Sequence, residues 1–164
     1  MMKKKQVSAE NAIERLEELC ARSEQCTADV RTKLFRWGVA QADADRVVER
    51  LTDTGFVDDA RFARAYVRDK YRFSAWGRVK ISSSLRLKRI PQDTIADAMK
   101  EIDLRLYAAT AMRTLRAKLR SLRGKEYDDY ELRRRLYAFG TGRGYESALV
   151  GKILNSRTLW ISEE

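Results

Sequence analysis

The chain has 164 residues, with 34 lysines and arginines against 24 aspartates and glutamates, and its net charge is +10. It contains no histidine, so the most common general base and nitrogen ligand for metals is missing. A single proline and eight glycines are typical of a helical chain. Because no uncharged run is long enough to span a bilayer and the N-terminus lacks the apolar core of a signal peptide, we expect a cytoplasmic protein without membrane contact.

The two cysteines do not have the spacing of a zinc site. Cys20 and Cys26 are separated by six positions, and Cys20 lies on the apolar face of a predicted helix. We therefore expect reduced thiols, no metal and no cofactor.

Three helices are predicted in the first 57 residues. An apolar face at helical spacing predicts the first helix, and its members are Ala9, Ala12, Ile13, Leu16, Leu19 and Cys20. Thr27 is expected to cap a second helix that ends at Gly38, because a hydroxyl accepts a first-turn N–H and glycine tolerates the left-handed conformation. The third helix is predicted from about Gln41 to Asp53.

The stretch GFVDDARFARAYV, residues 55–67, contains two adjacent aspartates. They could be catalytic carboxylates or part of a joint between two helices. Gly55 follows a run of helical spacing and can end that helix, and Asp58 or Asp59 suits the N-cap of the next one. We interpret the stretch as a helix joint and predict no catalytic residue in it.

A second group of three helices is predicted to start near Asp59, Trp76 and Pro91. Pro91 fits a first helical position, where its missing N–H costs no hydrogen bond.

A third group begins near Leu104, and Asp128 or Asp129 is predicted to cap its second helix. The glycine-rich stretch FGTGRGYE, residues 139–146, is predicted to break the chain before the last helix. The end segments 1–7 and 156–164 are expected to fray.

Apolar positions recur every 51 residues across these three groups. The matched columns are Val30, Ile81 and Leu132; Leu34, Leu85 and Leu136; Val47, Ala98 and Leu149; Val48, Met99 and Val150; and Leu51, Ile102 and Ile153. This period predicts an all-α protein with three tandem three-helix repeats, at residues 8–57, 58–103 and 104–155. Because each repeat is too small to bury a large core alone, we expect an elongated, curved helical array.

Positive charge is concentrated in the second and third predicted repeats. Residues 1–57 are balanced, with ten basic and ten acidic side chains, whereas residues 58–103 have eleven against seven. Residues 104–154 have twelve against five. Such an asymmetry indicates a polyanionic partner or an acidic protein surface, although a solvated basic face without a partner would show it too.

Basic residues at helical spacing are the candidate contacts for such a partner, whether protein or nucleic acid. One stripe is predicted in the third repeat, where like charges at spacings of three and four repel one another. The candidates are Arg78, Lys80, Arg86, Lys88, Arg113, Arg116, Arg120, Arg123, Arg133, Arg134 and Arg135.

The central segment resembles the RecX family of regulatory proteins. The matching residues are Gly55, Phe56, Asp58, Asp59, Arg61, Phe62 and Ala63, followed by Gly77, Ile81, Leu85, Lys88 and Ile90. The chain departs from the family pattern at Arg89, where glycine is frequent.

The resemblance implies an all-helical, non-enzymatic protein with three three-helix repeats. It also implies binding to the RecA recombinase filament on single-stranded DNA, with inhibition of strand exchange and ATP hydrolysis. We expect a monomer, and direct contact with single-stranded or double-stranded DNA stays open.

Other functions remain as alternatives. Short helices joined by tight turns are also found in helix-turn-helix DNA-binding proteins, and a helical scaffold for an acidic protein would have the same charge pattern. No helix mixes the asparagine, glutamine and arginine typical of base readout. An enzyme is disfavoured, because the chain lacks histidine and a glycine-rich phosphate loop.

Overall fold

The computed structural model describes residues 7–161, which contain ten α-helices, one 3-10 turn at Met99–Glu101 and no strand. The all-α prediction is therefore confirmed. The helices are α1 (Ala9–Arg22), α2 (Thr27–Arg36), α3 (Gln41–Asp53), α4 (Asp59–Arg72), α5 (Arg78–Leu87), α6 (Gln92–Ala98), α7 (Leu104–Leu122), α8 (Asp129–Gly142), α9 (Ser147–Leu154) and α10 (Arg157–Trp160).

The described residues form two compact units, and the three boundaries between them fall within α4, within α5 and directly after α6. The first unit comprises residues 7–65 and 85–98, and the second comprises residues 66–84 and 99–161. The core of the first unit is aliphatic and contains Leu16, Val30, Leu34, Val47 and Leu51. The second unit buries three tyrosines, Tyr71, Tyr107 and Tyr145, together with leucines of α7 and α8.

The periodic columns correspond to the buried faces of the helices. Leu34, Leu85 and Leu136 are fully buried, and Leu51, Ile102 and Ile153 are fully or almost fully buried. Leu132 and Leu149 of the third repeat are only half-buried. The period therefore identifies the core well for α2, α3 and α5 and less well for α8 and α9.

The predicted break over residues 139–146 is confirmed at residues 143–146, but it begins later than predicted, because α8 continues through Gly140 to Gly142. A Cβ on Gly140 would lie 2.9 Å from the Val150 side chain and 3.2 Å from that of Leu115, so this glycine makes room for close helix packing. The chain turns only at Gly144, whose φ of +89° closes the helix.

The longer α8 also shifts the register of the last helix. The starts of α3 and α6 are 51 positions apart, at Gln41 and Gln92, whereas α9 starts at Ser147, 55 positions after α6. The start of α9 is therefore shifted by four residues, although Val150 and Ile153 of the gapless columns are still buried. An insertion of four residues adds about one turn of helix, which keeps the apolar face of α9 in contact with the core.

Three further helix ends differ from the predictions. The N-cap of α2 is Cys26 rather than Thr27, and α5 starts at Arg78 rather than near Trp76. Residues 157–160 form α10 instead of fraying, because Leu159 is buried and the Trp160 indole N–H donates to the Leu154 carbonyl at 2.9 Å. The frayed ends predicted for residues 1–6 and 162–164 lie outside the described residues.

Candidate partner-binding residues and the helix joints

The two adjacent aspartates cap two different helices. Asp58 Oδ1 accepts the backbone N–H of Arg61 at 2.9 Å and so caps its own helix, α4. Asp59 Oδ1 accepts the backbone N–H of Thr27 at 2.7 Å, in the first turn of α2. The prediction of a helix joint is confirmed, and the second carboxylate joins helices that are 32 positions apart in the sequence.

Arg61 completes this joint by contacting three acceptors. Its guanidinium lies 2.7 Å from a carboxylate oxygen of Glu24 and donates to the carbonyls of Gly55 at 2.9 Å and Phe56 at 3.3 Å. The Glu24 carboxylate, through this hydrogen bond, raises the pKa of Arg61 above its usual value. The planar guanidinium suits such a forked arrangement, so the basic residue of the family motif has a structural role here.

Lys88, a predicted contact residue, lies in the same unit and is paired. Its ammonium contacts both carboxylate oxygens of Asp29, at 3.0 and 2.7 Å, and lies 5.8 Å from the ring centre of the buried Phe62. The structure therefore brings Lys88 to the first turn of α2, beside Asp59, rather than to a separate basic face.

Arg78 starts α5 and lies in a partly buried hydrogen-bonded cluster. Its backbone N–H donates to the Tyr107 hydroxyl at 2.9 Å, and that hydroxyl donates to Glu146 at 2.6 Å. The Arg78 guanidinium contacts the same carboxylate at 3.4 Å. Burial, and then the hydrogen bond to the Glu146 carboxylate, raises the pKa of Tyr107, because both disfavour the phenolate.

The backbone at Gly77 passes directly against the loop between α8 and α9. The Gly77 N–H donates to the Arg143 carbonyl at 2.9 Å, and the Val79 N–H donates to the Gly144 carbonyl at 3.0 Å. A Cβ on Gly77 would overlap the Gly144 carbonyl. The Arg143 guanidinium in turn donates to the carbonyls of Ser74 and Ala75.

This second joint is not evident from the sequence pattern, which predicts only a chain break over residues 139–146 and gives no role to Tyr107 or Arg143. Gly77 and Gly144 are the one signal for it, because glycine is required where two backbones approach closely.

The arginine stripe of α7 is divided between two roles. Arg116 donates to the Thr158 carbonyl at 2.7 Å and Arg123 donates to the Trp160 carbonyl at 3.2 Å, so both hold α10. Arg113 contacts Thr110 on its own helix at 3.1 Å, and Arg113 and Arg120 are both exposed. Arg116 and Arg123 therefore hold α10, whereas Arg113 and Arg120 do not.

The three arginines of α8 contact groups of their own unit. Arg133 donates to the Leu154 carbonyl at 3.0 Å and lies over the Trp160 ring. Arg134 and Arg135 both pair with Glu131, at 2.8 and 2.7 Å. The Arg134 guanidinium, with Arg135, lowers the pKa of Glu131. The positive charge that opposes the helix dipole is thus offset by an acidic side chain in the first turn.

The remaining candidates lie at or near the surface of α5. Arg86 is exposed, and the Lys80 ammonium lies 4.3 Å from the centre of the Trp76 ring. Most of the candidates contact acidic, carbonyl or aromatic groups of the protein.

No group of histidine, cysteine, aspartate and glutamate within residues 7–161 is arranged to hold a metal ion. Cys20 and Cys26 are thiols. Burial raises the pKa of the Cys26 thiol to about 11, which disfavours the nucleophilic thiolate. Over the same residues, none of the helices combines the length and the hydropathy that a membrane span requires.

Comparison with known proteins identifies the family. The model of the second three-helix domain of RecX matches residues 58–99, and that of the third matches residues 106–154. The regulatory protein RecX of Mycobacterium marinum is 32% identical over 136 residues, which are 83% of this chain and 78% of the relative. That of Prosthecochloris aestuarii is 29% identical over 132 residues, 80% of this chain and 83% of the relative.

Solved structures show the same fold. A crystal structure of a regulatory protein RecX superposes with a TM-score of 0.80 at 20% identity, covering 90% of this chain and 72% of the other. RecX from Lactobacillus salivarius superposes with a TM-score of 0.73 at 18% identity, covering 89% and 94%. The chain belongs to the RecX family of regulatory proteins, which confirms the resemblance found in the central segment.

Proposed function

We propose that this protein is a non-enzymatic regulator of the RecA recombinase. It binds the recombinase filament on single-stranded DNA and inhibits ATP hydrolysis and strand exchange during recombination and repair. Membership of the RecX family is the observation that carries this proposal.

The charge distribution supports a polyanionic partner. Residues 58–154 contain 23 basic and 12 acidic side chains, a balance of +11, whereas residues 1–57 are neutral. A filament on single-stranded DNA has a high density of negative charge, and long-range attraction would speed the encounter with such a basic protein. The exposed Arg113 and Arg120 are the contacts that we favour, because neither holds α10.

The roles of the acidic residues support a binding function rather than catalysis. Asp58, Asp59 and Asp128 each accept a backbone N–H in the first turn of a helix. Carboxylates used in this way stabilise helix starts, which gives each of these aspartates a structural role without chemistry.

Steady-state ATP hydrolysis by the cognate recombinase on single-stranded DNA tests the proposal. We expect the purified protein to lower the rate at substoichiometric or near-stoichiometric amounts. Unchanged hydrolysis at saturating protein, together with no binding to the filament, would refute the proposal.

A pair of charge reversals locates the contact. Arg113→Glu with Arg120→Glu should weaken filament binding by about tenfold, because two favourable charge contacts become repulsive. The matched control is Arg22→Glu with Arg36→Glu, two exposed arginines of the neutral first repeat, and it should weaken binding much less. Equal losses in the two variants would contradict a localised contact in the third repeat.

A further inference from the structure

An aromatic and basic cluster connects the end of α4 with the start of α5. The Trp76 ring meets the Tyr66 ring edge to face, with 6.5 Å between the ring centres. Lys70 lies 4.9 Å from the centre of the Trp76 ring and 5.2 Å from that of Tyr66, and Lys80 lies 4.3 Å from Trp76. We call Tyr66, Lys70, Trp76 and Lys80 the Trp76 cluster.

The positive charge of the Trp76 cluster is not offset by a carboxylate. Both ammonium groups lie against one indole, so they are at most about 9 Å apart. Within the part of the chain that the structure describes, neither has an acidic oxygen at ion-pair distance, whereas the neighbouring Arg68 and Arg78 pair with glutamates. Two cations held close together without an anion indicate a site for one.

The loop that carries Trp76 is held firmly in place. Ala75 has a φ of +50°, a left-handed conformation that costs a non-glycine residue about 1–2 kcal/mol. The Ala75 carbonyl accepts the Tyr145 hydroxyl at 3.0 Å, and the Trp76 N–H donates to the Lys70 carbonyl at 3.0 Å. On the same loop the Phe73 side chain is 83% exposed. Trp76 and Tyr66 are half-buried, so the loop holds part of each ring accessible to solvent on a fixed support.

We propose that the Trp76 cluster is a binding site for a single-stranded polynucleotide. A lysine that leaves the indole face for a phosphate opens that face to an unpaired base. Stacking of bases on aromatic rings, combined with backbone contacts from lysines, is the general mode of sequence-independent single-strand binding. The inference deepens the proposed function, because it makes the nucleic acid itself a contact of the regulator.

The aromatic component favours a polynucleotide over an acidic protein surface. Two lysines would serve either partner, but only unpaired bases use the flat face of an indole. Bases in a duplex are stacked on one another and are not available, so the site should prefer single strands.

Binding of a labelled oligothymidylate of about 15 nucleotides to the full chain, without recombinase, tests the inference. Fluorescence anisotropy at two salt concentrations gives the affinity and its salt dependence. Trp76→Leu should weaken binding about tenfold, and Trp76→Phe should retain most of it because an aromatic face remains. Circular dichroism verifies that each variant keeps its helicity.

A second, independent test removes the positive charges of Lys70 and Lys80. Lys70→Gln with Lys80→Gln should weaken binding about tenfold at low salt and reduce the slope of log affinity against log salt by about 1.4. The matched control is Lys125→Gln with Lys152→Gln, which removes two exposed lysines of the same unit and should change the affinity less than about twofold. Duplex DNA of the same length should bind more weakly than the single strand.

Three outcomes would overturn the inference. They are wild-type affinity in a folded Trp76→Leu variant, equal losses in the two lysine pairs, and duplex bound as tightly as single strand. Loss of filament binding in the Lys70/Lys80 variant without any oligonucleotide binding would assign the cluster to an acidic protein surface instead. If the protein inhibits the recombinase but does not bind the oligonucleotide, only this inference fails; oligonucleotide binding without any effect on the recombinase refutes only the proposed function.

Discussion

Two helix starts, 51 positions apart, use different side chains to accept a backbone N–H that has no partner within its own helix. The backbone N–H of Thr27 at the start of α2 is accepted by the Asp59 carboxylate at 2.7 Å, and that of Arg78 at the start of α5 is accepted by the Tyr107 hydroxyl at 2.9 Å. In each case the acceptor belongs to a later helix rather than to the capped one. Helix starts leave N–H groups without partners, so a neighbouring helix can fix its position by supplying the acceptor.

The surroundings of the two starts differ in how they hold the backbone. The first is surrounded by ion pairs at the surface, Arg61 with Glu24 and Lys88 with Asp29. The second lies in a partly buried cluster where Gly77 touches Gly144 and Tyr107 packs on Tyr145 at 5.5 Å. We therefore expect the α2 joint to tolerate side-chain changes better than the α5 joint, where two backbones are in direct contact.

The largest expected effect is that of Gly77→Ala. The added methyl group would overlap the Gly144 backbone, which has no flexible side chain to move, so the free energy of unfolding should fall by about 3 kcal/mol or more. Urea denaturation measures it. The control is Gly151→Ala in α9, where nothing lies within 4 Å and alanine should stabilise by about 0.5–1 kcal/mol. A Gly77→Ala variant as stable as wild type would contradict the steric joint.

The next effect is that of Tyr107→Phe, which removes the acceptor of the Arg78 N–H and the donor to Glu146. The loss should be about 1–3 kcal/mol, because polar groups are left without partners in a buried site.

The same variant has a pH signature. The raised pKa of Tyr107 means that the folded state favours the neutral hydroxyl, so its stabilisation is complete below the unfolded pKa of about 10 and is lost as the pH rises further. The difference in unfolding free energy between wild type and variant should therefore be constant from neutral pH to about 9 and shrink above 10. A constant difference throughout would show that the hydroxyl is not held neutral by this site.

The α2 joint should respond less strongly. Asp58→Ala and Asp59→Ala should each cost about 1 kcal/mol, and asparagine at either position should retain most of the stability because its amide oxygen also caps. Because the two carboxylates cap different helices, the double alanine variant should lose about the sum of the single losses. Thermal or urea unfolding of the four variants measures this. A double variant that loses no more than one single variant would mean that the two caps act as one unit.

The smallest effect is a stabilisation. The turn after α5 is closed by Arg89 with a φ of +58°, where the equivalent turns after α2 and α8 have Gly38 and Gly144 at positive φ. Arg89→Gly should raise the free energy of unfolding by roughly 0.5–1 kcal/mol, since glycine takes this conformation without strain. Unfolding in urea, compared with the exposed and helical Arg86→Gly, which should destabilise, measures the difference.

The positions of most helices follow from sequence alone. The predicted bounds of α3 match the structure, as does the start of α4 at Asp59. Leu34, Leu85 and Leu136 are all buried as their period predicts. These features depend on local spacing and propensity, which can be recognised within a few turns of helix.

The features that the sequence did not predict depend on contacts far along the chain. The sequence pattern predicts that Gly140 breaks the helix, but this glycine lies within α8. Its missing side chain leaves the space that the side chains of Leu115 and Val150 occupy. The spacing of Arg116 and Arg123 predicts a basic stripe on α7, and in the structure their guanidinium groups donate hydrogen bonds to carbonyls of α10. Neither partner can be recognised from the local pattern.

The sequence by itself determined that the chain is helical, where the buried faces lie and that the aspartate pair marks a helix joint. Only the tertiary structure decided which helix each aspartate caps and which basic residues hold the protein's own carbonyls and carboxylates. The reason is physical: an apolar face is a property of one helix, whereas a hydrogen bond such as that from Thr27 to Asp59 exists only after packing has brought together two segments 32 positions apart.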